Sequence, residues 1–250
     1  MRNVIELNVV VADGSEERID IVVRSARGAG FCSRDRDAVR RLSEERRRQG
    51  MCWTSKDYWT YRIGSYLVTS DDWIEVQGPM TGDEVEPVLV FSADGEFVGV
   101  GSDQCDREMS SLFLEKPKQM CPHPLGPTVW RLDDVRGHWD ELQVESEVRV
   151  GETVVPHQRF SLSELVSLDT WLGQDALQNR PDATVFYAGT GKTVPGLAEN
   201  LRRLGLPPEC AHGVGDEFRM RLYDPVLGRE IRHAYGVSVL GDDLQERRSQ

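Results

Sequence analysis

The chain has 250 residues, of which 39% are hydrophobic and 29% charged, and its formal net charge is −12. This composition is ordinary for a globular protein, and the acidic balance argues against a nucleic-acid partner, because phosphate binding needs a basic surface. No apolar run approaches the ~18 residues of a membrane span, the N-terminus lacks a signal-peptide pattern, and the five cysteines lack Cys-x-x-Cys spacing. We therefore expect a cytoplasmic protein with reduced thiols, without disulfides, structural zinc or a membrane partner.

The N-terminal region is predicted to contain a hairpin, a flexible segment and one helix. Residues 3–12 and 17–24 alternate between apolar and polar side chains on either side of a turn, which predicts two antiparallel strands. The Gly- and Ala-rich residues 25–31 are predicted to form a hinge or loop. A helix is predicted to start after an N-cap at Ser33 and to reach about Gln49, with basic residues in its last turn.

The apolar stripe of this helix is thin, because only Ala38, Val39 and Leu42 form it. A helix that buries so little is either a peripheral surface helix or a lid over an active site. The following residues 51–80 are rich in Trp and Tyr, which usually line a core or a pocket.

Two strands joined by a tight turn are predicted within residues 82–107. Asp94 and Gly95 supply the turn, because Asp-Gly accepts the positive φ angles that a two-residue hairpin loop needs. With these two residues as the loop, Glu86 lies directly opposite Asp103 on the neighbouring strand. Directly opposed residues have Cβ atoms roughly 4.5–5.5 Å apart.

Glu84 shares the face of Glu86, because side chains two residues apart on a strand point the same way. Three carboxylates that close, with Asp103 as the third, repel one another unless a cation joins them. All-oxygen ligation suits Mg²⁺, Mn²⁺ or Ca²⁺ better than zinc. The alternative is an exposed acidic strand face. Gly99 and Gly101 on the same face argue against it, because strand glycines often mark the close approach of a ligand or another backbone.

The rest of the chain is predicted to consist mainly of strands. The expected elements are a proline-rich loop at 116–127, a hairpin over 141–160, a helix from Ser161 to Leu172, a strand over 182–187, a short helix over 197–204, and a strand pair over 217–224 and 230–239. Because strands dominate and the helices are few and peripheral, we predict a β-rich α+β fold.

We expect a single domain that spans residues 1–250, because neither a repeat nor a low-complexity linker divides the chain. Its predicted parts are an N-terminal part at 1–80, a metal-binding core at 81–242 and a polar tail at 243–250.

Other common site types have weak support in the sequence. Gly189-Thr190-Gly191-Lys192-Thr193 resembles the end of a P-loop, but Phe186 stands where that motif needs its first glycine. The histidines lack metal-site spacing, and a Gly-x-Ser-x-Gly signature is missing. A cysteine nucleophile is less favoured than buried, inert thiols.

Several motifs, taken in chain order, resemble those of the fumarylacetoacetate hydrolase family. They are Glu84-Val85-Glu86, then Asp103 with Arg107 four residues later, then Lys118 before Pro124-Leu125-Gly126-Pro127, and finally Ala188-Gly189-Thr190. Their order and approximate spacing hold from about residue 30 to residue 240, within what looks like a divergent bacterial branch.

The resemblance implies a β-roll fold, usually a homodimer, with Mg²⁺ or Mn²⁺ held by Glu84, Glu86 and Asp103, and Ca²⁺ as a further candidate. It also implies an oxo acid or a 1,3-dicarbonyl compound as the substrate. The expected reaction is hydrolysis or lyase chemistry at a C–C bond through a metal-stabilised enolate.

Residue roles follow from the same resemblance. Lys118 would assist by its charge, Arg107 would position the carboxylates or the substrate, and Thr190 would hold a substrate oxygen. Three more residues are expected to contact substrate: Gly189, Tyr61 and Arg34.

One feature departs from the family pattern. Hydrolytic members carry a His and a Glu three residues apart on the lid helix, where they activate water. Here the best register puts Leu42 at the histidine position and Glu45 at that of the catalytic glutamate. Two alternatives to hydrolysis therefore stay open: a non-hydrolytic enzyme (decarboxylase, dehydratase, tautomerase or cyclase), and a catalytically inactive binding protein with the same fold.

Overall fold

The computed structural model of the protein describes residues 3–206 and 215–240, so the predicted polar tail at 243–250 lies outside the described residues. Its strands are β1 (Val4–Val10), β2 (Glu16–Val22), β3 (Ser25–Gly30), β4 (Trp59–Ile63), β5 (Val68–Thr69), β6 (Trp73–Val76), β7 (Thr81–Gly82), β8 (Val85–Ser92), β9 (Gly95–Ser102), β10 (Cys105–Asp106), β11 (His123–Pro124), β12 (Thr128–Arg131), β13 (Gln143–Val150), β14 (Thr153–Ser161), β15 (Thr184–Tyr187), β16 (Glu217–Asp224) and β17 (Arg229–Val239). Its α-helices are α1 (Arg36–Arg48), α2 (Leu132–Arg136), α3 (Leu168–Leu172), α4 (Asp175–Gln178) and α5 (Leu197–Arg203). Single 3₁₀ turns lie at Ser65–Leu67, Met109–Ser111, Lys116–Gln119, Trp139–Glu141 and Leu162–Glu164.

Two sheets form the body of the fold. The larger has eight strands in the order β2-β1-β12-β9-β8-β15-β3-β4, and the smaller has five in the order β14-β13-β16-β17-β6. One apolar cluster joins side chains of both sheets, and a second covers the other face of the larger sheet. The central strands β8 and β9 are therefore buried on both faces. The predicted β-rich α+β fold with few helices is confirmed.

Most predicted elements occur at or near their expected positions. The opening hairpin is β1–β2, the hairpin over 141–160 is β13–β14, and the final strand pair is β16–β17. The strand over 182–187 is β15, and the helix over 197–204 is α5. Among the described residues, no helix is both long enough and apolar enough to cross a membrane.

The turn of the β8–β9 hairpin differs by one residue from the prediction. Ala93 and Asp94 form the connection, and Ser92 pairs with Gly95. The Oγ of Ser92 accepts the backbone N–H of Asp94 at 3.1 Å, and Gly95 opens β9 with a φ of +140°. Of these residues only Gly95 has a positive φ, and it is the first residue of β9 and not the second residue of the loop.

This change moves the pairing by two residues, so that Glu86 lies opposite Gly101. Asp103 consequently lies beside Glu84, whose carbonyl accepts the Asp103 N–H at 3.0 Å. Because the shift is even, the three carboxylates still share one face. A Cβ on Gly101 would lie 2.6 Å from the carbonyl oxygen of Pro124, so this glycine admits a neighbouring backbone.

Within residues 25–31, expected to be a hinge or loop, Ser25–Gly30 instead form the inner strand β3 between β15 and β4. Gly28 pairs directly with Tyr61, and Gly30 pairs with Trp59. A Cβ on either glycine would lie 2.5 Å from the facing aromatic ring. The small residues therefore let two aromatic rings lie flat across the strand.

Three further boundaries need correction. The helix α1 is capped by Asp35, whose Oδ1 accepts the Ala38 N–H at 2.9 Å, and not by Ser33. The expected helix from Ser161 to Leu172 is a 3₁₀ turn with the predicted capping box, followed after a break by α3. The proline-rich loop contains one 3₁₀ turn and the two-residue strand β11.

Replacement of Gly28 by Ala tests the close packing of β3 on β4. We expect the Gly28→Ala variant to lose about 1–3 kcal/mol in free energy of unfolding, because the added methyl group must displace the buried Tyr61 ring. Urea unfolding measures this loss. Gly137→Ala is the matched control, because a Cβ there meets nothing within 4 Å at an ordinary φ of −68°. Equal stability of the two variants would contradict the packing argument.

Candidate active site

A cavity of about 720 Å³ opens at the start of β8. Its walls come from the segment before α1, from α1 itself, from the chain between β10 and β11, and from the segment after β15. The lining includes most of the residues expected at the site: Arg34, Tyr61, Glu84, Glu86, Arg107, Lys118 and Thr190. The structure therefore brings together motifs that are up to 156 residues apart in the chain, from Arg34 to Thr190.

Three carboxylates meet at this cavity. Glu84, Glu86 and Asp103 each offer one oxygen, and these atoms all lie within 4.8 Å of one another. Glu86 is 1% exposed, and Asp103 is completely buried behind it. This is the one such group of acidic, histidine or cysteine side chains found among the described residues.

Two cations hold the carboxylates in place. Lys118 Nζ lies 2.6 Å from Asp103 Oδ2 and 2.7 Å from Glu84 Oε2, and it also donates to the Asp103 carbonyl at 3.2 Å. Arg107 Nη1 lies 3.0 Å from the other oxygen of Glu84. A Cβ on Gly82 would collide with the Arg107 guanidinium, so this glycine is what lets Arg107 lie across the short β7–β10 pair.

The two cations act unequally on the three acids. Burial would raise the pKa of Asp103, but Lys118 outweighs it and holds that pKa well below its usual range. Burial also opposes ionisation of Glu84, but Lys118 and Arg107 lower its pKa below the ordinary value. Burial and the charges of Asp103 and Glu84 raise the pKa of Glu86 well above its usual range. One negative charge of the three is thus left without a balancing cation.

Tyr61 and His123 complete the surroundings of Asp103. The Tyr61 hydroxyl donates to Asp103 Oδ2, and burial together with the Asp103 charge raises the pKa of that phenol well above its usual range. The buried His123 places Nδ1 at 3.0 Å from Asp103 Oδ1 and Nε2 at 2.6 Å from the Lys118 carbonyl. The Nδ1 contact is close but poorly directed for a hydrogen bond. Sequence spacing did not identify His123.

The segment after β15 supports the carboxylates from a further side. The Gly189 N–H donates to Glu86 Oε2 at 2.8 Å, and this glycine has a φ of +102°, where a Cβ would collide with Cys32. Thr190 Oγ1 donates to the Val85 carbonyl at 2.8 Å and accepts the Gln158 amide at 2.8 Å. The single O–H of the threonine is therefore used within the protein, and donation to a substrate oxygen requires the bond to the Val85 carbonyl to break.

Two expected site residues lie at the margin of the cavity or outside it. Arg34 lines the cavity, but its guanidinium makes a paired contact with Asp140 at 2.7 and 2.8 Å. Glu45, expected to be catalytic, does not line the cavity; it is exposed and accepts a hydrogen bond from Gln49. The structure thus places Glu45 outside the cavity, because α1 turns Leu42 and Arg46 toward it instead.

The predicted aromatic segment divides between two environments. Trp59 and Tyr61 are buried and line the cavity, in agreement with the expectation of core or pocket. The other members are at least 38% exposed: Trp53, Tyr58, Tyr66 and Trp73.

The residues present fit a divalent cation. The donors are carboxylate oxygens only, which is the ligand set of Mg²⁺, Mn²⁺ and Ca²⁺. Their oxygens converge within 4.8 Å, and the raised pKa of Glu86 indicates that a third carboxylate charge is unfavourable here unless a cation joins it. Glu84, Glu86 and Asp103 would hold it.

Solved structures with the same architecture include enzymes in complex with magnesium or Mn²⁺. A 2-keto-3-deoxyarabinonate dehydratase aligns with a TM-score of 0.61 and 16% identity, over 87% of this chain and 74% of that chain. A dehydratase of 2-keto-3-deoxy-D-arabinonate complexed with magnesium and 2,5-dioxopentanoate aligns with a TM-score of 0.57 and 15% identity, over 86% and 73%. A fumarylpyruvate hydrolase from Pseudomonas aeruginosa, in complex with Mn²⁺ and pyruvate, aligns with a TM-score of 0.56 and 15% identity, over 94% and 96%.

These similarities show that the protein has the fold of the fumarylacetoacetate hydrolase family, as the motifs predicted. Residues 29–235 match the family described as Protein of unknown function (DUF2848), and the chain belongs to this family. No curated protein matched the sequence significantly.

Addition of Mg²⁺ or Mn²⁺ tests the carboxylate cluster directly. At a hundredfold excess over the dissociation constant, the cation should raise the melting temperature by roughly 5–10 °C, because it binds only the folded chain. Asp103→Asn should abolish this increment, since it removes one ligand charge. The exposed Asp182→Asn is the matched control and should keep the full increment. Thermal scans with and without EDTA measure the effect, and an unchanged increment in Asp103→Asn would place the cation elsewhere.

Proposed function

We propose that the protein is a metal-dependent enzyme that acts on a 2-oxo acid or 1,3-dicarbonyl substrate at a C–C bond. The observation that carries this proposal is the largely buried carboxylate cluster at the floor of a cavity that is open to solvent. Two solved structures with this fold contain Mn²⁺ with pyruvate and magnesium with 2,5-dioxopentanoate, which supports both the cation and the substrate class.

A divalent cation held by Glu84, Glu86 and Asp103 would supply Lewis-acid stabilisation to the oxygens of such a substrate. Lys118 keeps Asp103 and Glu84 ionised and places a fixed positive charge at the cavity floor. Negative charge that develops on a substrate oxygen there is stabilised without reorganisation of the protein. Arg107 holds Glu84 from the side opposite Lys118 on the carboxylate, so the acid keeps its orientation.

Lyase chemistry without an activated water fits the cavity better than hydrolysis. Among the described residues that line the cavity there is no histidine. Its two other acids already accept backbone N–H groups, Asp35 from Ala38 at 2.9 Å and Glu164 from Ser161 at 3.1 Å. Hydrolysis needs a base within reach of the attacking water, and one oxygen of each acid is already engaged with the local backbone. We therefore propose a lyase first, and a slow hydrolase second.

Assays with oxaloacetate and with acylpyruvates test this order. In the presence of Mg²⁺ we expect oxaloacetate decarboxylation to exceed acylpyruvate hydrolysis, and EDTA to abolish both. Glu86→Gln should lower kcat/KM at least on the order of 100-fold, because a ligand charge is lost. The exposed Glu147→Gln serves as the control with unchanged kinetics. Activity that persists in Glu86→Gln with EDTA would rule out a metal-dependent enzyme.

The absence of the family's lid histidine, at the position of Leu42 on α1, leads to a separate prediction. Leu42→His should increase acylpyruvate hydrolysis about tenfold, because it puts a base on the side of α1 that lines the cavity. The ratio of the hydrolysis rate to the decarboxylation rate, measured on the same preparation, reports this gain independently of the fraction of active enzyme. An unchanged ratio would show that the missing base does not limit hydrolysis.

A catalytically inactive binding protein is the remaining alternative, and the same assays distinguish it by the absence of turnover. The cytoplasmic location, the single domain and the homodimer expected from the sequence stay predictions.

A further inference from the structure

The cavity has a second, apolar part beside its carboxylate floor. Apolar side chains reach it from the segment before α1, from α1, and from the chain that follows the 3₁₀ turn at Met109–Ser111. We call these residues the apolar wall: Phe31, Val39, Leu42, Phe113 and Leu114. The proposed metal chemistry uses none of them.

Two members of the apolar wall are exposed in spite of their position. Leu42 is 51% exposed and Phe113 is 37% exposed, although both line the cavity. The elements that carry them are fastened together, because Arg46 Nη2 donates to the Ser110 carbonyl at 2.8 Å. A ligand that covers these two side chains therefore gains apolar burial on a wall that is already assembled.

The backbone at Phe31 gives an independent indication. Its φ is +57°, a conformation in which a bulky residue is a genuine outlier and which costs about 1–3 kcal/mol. Glycine would relieve this strain, yet the position holds a phenyl ring that lies 5.9 Å from the Trp59 ring and lines the cavity. A strained aromatic residue at a cavity is a sign of a functional constraint.

The size of the cavity fits an extended ligand. At about 720 Å³ it falls within the ~300–1,000 Å³ range of sites that enclose drug-sized ligands. The oxygens of a 2-oxo acid occupy only the carboxylate end, so the remaining space is bounded in part by the apolar wall.

We propose that the apolar wall is a subsite for the hydrocarbon or aromatic tail of a 2-oxo acid substrate. This inference rests on the proposed function for the head of the molecule and adds the chemistry of its tail. Small or doubly charged 2-oxo acids, oxaloacetate included, should then bind more weakly than long-chain monoacids, since they leave the wall exposed or put a charge against it. Oxaloacetate therefore reports the class of reaction and not the preferred substrate.

Calorimetric titration in Mg²⁺ with 2-oxobutanoate, 2-oxohexanoate and 2-oxooctanoate tests the subsite without relying on turnover. We expect the dissociation constant to fall about fourfold for each CH₂ group that is fully buried, and at least tenfold across the series. The diacid 2-oxoadipate should bind more weakly than 2-oxohexanoate. Tighter binding of the diacid would overturn the proposal and assign the tail to the cationic Lys192, which also lines the cavity.

Variants of the apolar wall distinguish a defined subsite from nonspecific binding of the ligand to exposed apolar side chains. Leu42→Gln and Phe31→Gly should flatten the chain-length dependence. In Phe31→Gly, relief of the strained φ offsets part of the stability that is lost with the phenyl contact to Trp59. Leu112→Gln is the control, since Leu112 is 68% exposed in the same segment but does not line the cavity. Equal slopes in wild type and Leu42→Gln would overturn the proposal.

Failure of the proposed function gives a different result from failure of the tail subsite. If Mg²⁺ changes the affinity of none of the 2-oxo acids, the metal-dependent head site is contradicted. The tail subsite is then judged from hexanoate and octanoate, which lack the oxo group. Tighter binding of octanoate that Leu42→Gln removes would support the apolar wall, and no difference between the two acids would overturn it.

Discussion

The crowding of three carboxylates in one buried corner is the constraint on which the rest of this site depends. Oxygens of Glu84, Glu86 and Asp103 lie within 4.8 Å of one another at the open end of the central hairpin, where the burial of Glu86 and Asp103 limits the screening of their repulsion by water. Lys118 and Arg107 offset two of the charges, and a divalent cation would offset the third. Gly82 leaves room for the Arg107 guanidinium beside Glu84, and Gly189 lets the backbone turn so that its N–H reaches Glu86. Side-chain cations and a backbone N–H group thus both stabilise the same cluster of carboxylates.

Much of this arrangement could be predicted from the sequence because it depends on periodicity. The β8–β9 hairpin turns one residue earlier than expected, but the resulting shift of two residues leaves Glu84, Glu86 and Asp103 on one face. Only an odd shift would have reversed the face. The error at residues 25–31 has another cause: glycines in a strand look like a loop until the aromatic rings that cover them are known.

The contacts that sequence reasoning missed are those between distant parts of the chain. His123 reaches Asp103, and Gln158 joins Thr190 to the backbone of Val85, through tertiary packing that no local spacing encodes. The position of Glu45 outside the cavity was not foreseen for a related reason. A helix fixes which residues share a face, but the rotation of that face toward a cavity is set by what the helix packs against. Its apolar Leu42 marked the cavity side more reliably than the charged residue did.

The most direct test of the central claim is a crystal structure of the protein soaked in Mn²⁺, with anomalous diffraction data that locate the metal. The account predicts one strong anomalous peak bounded by carboxylate oxygens of Glu84, Glu86 and Asp103, with Lys118 still in contact with the cluster. A fully occupied peak elsewhere, or none at this cluster under saturating Mn²⁺, would contradict it.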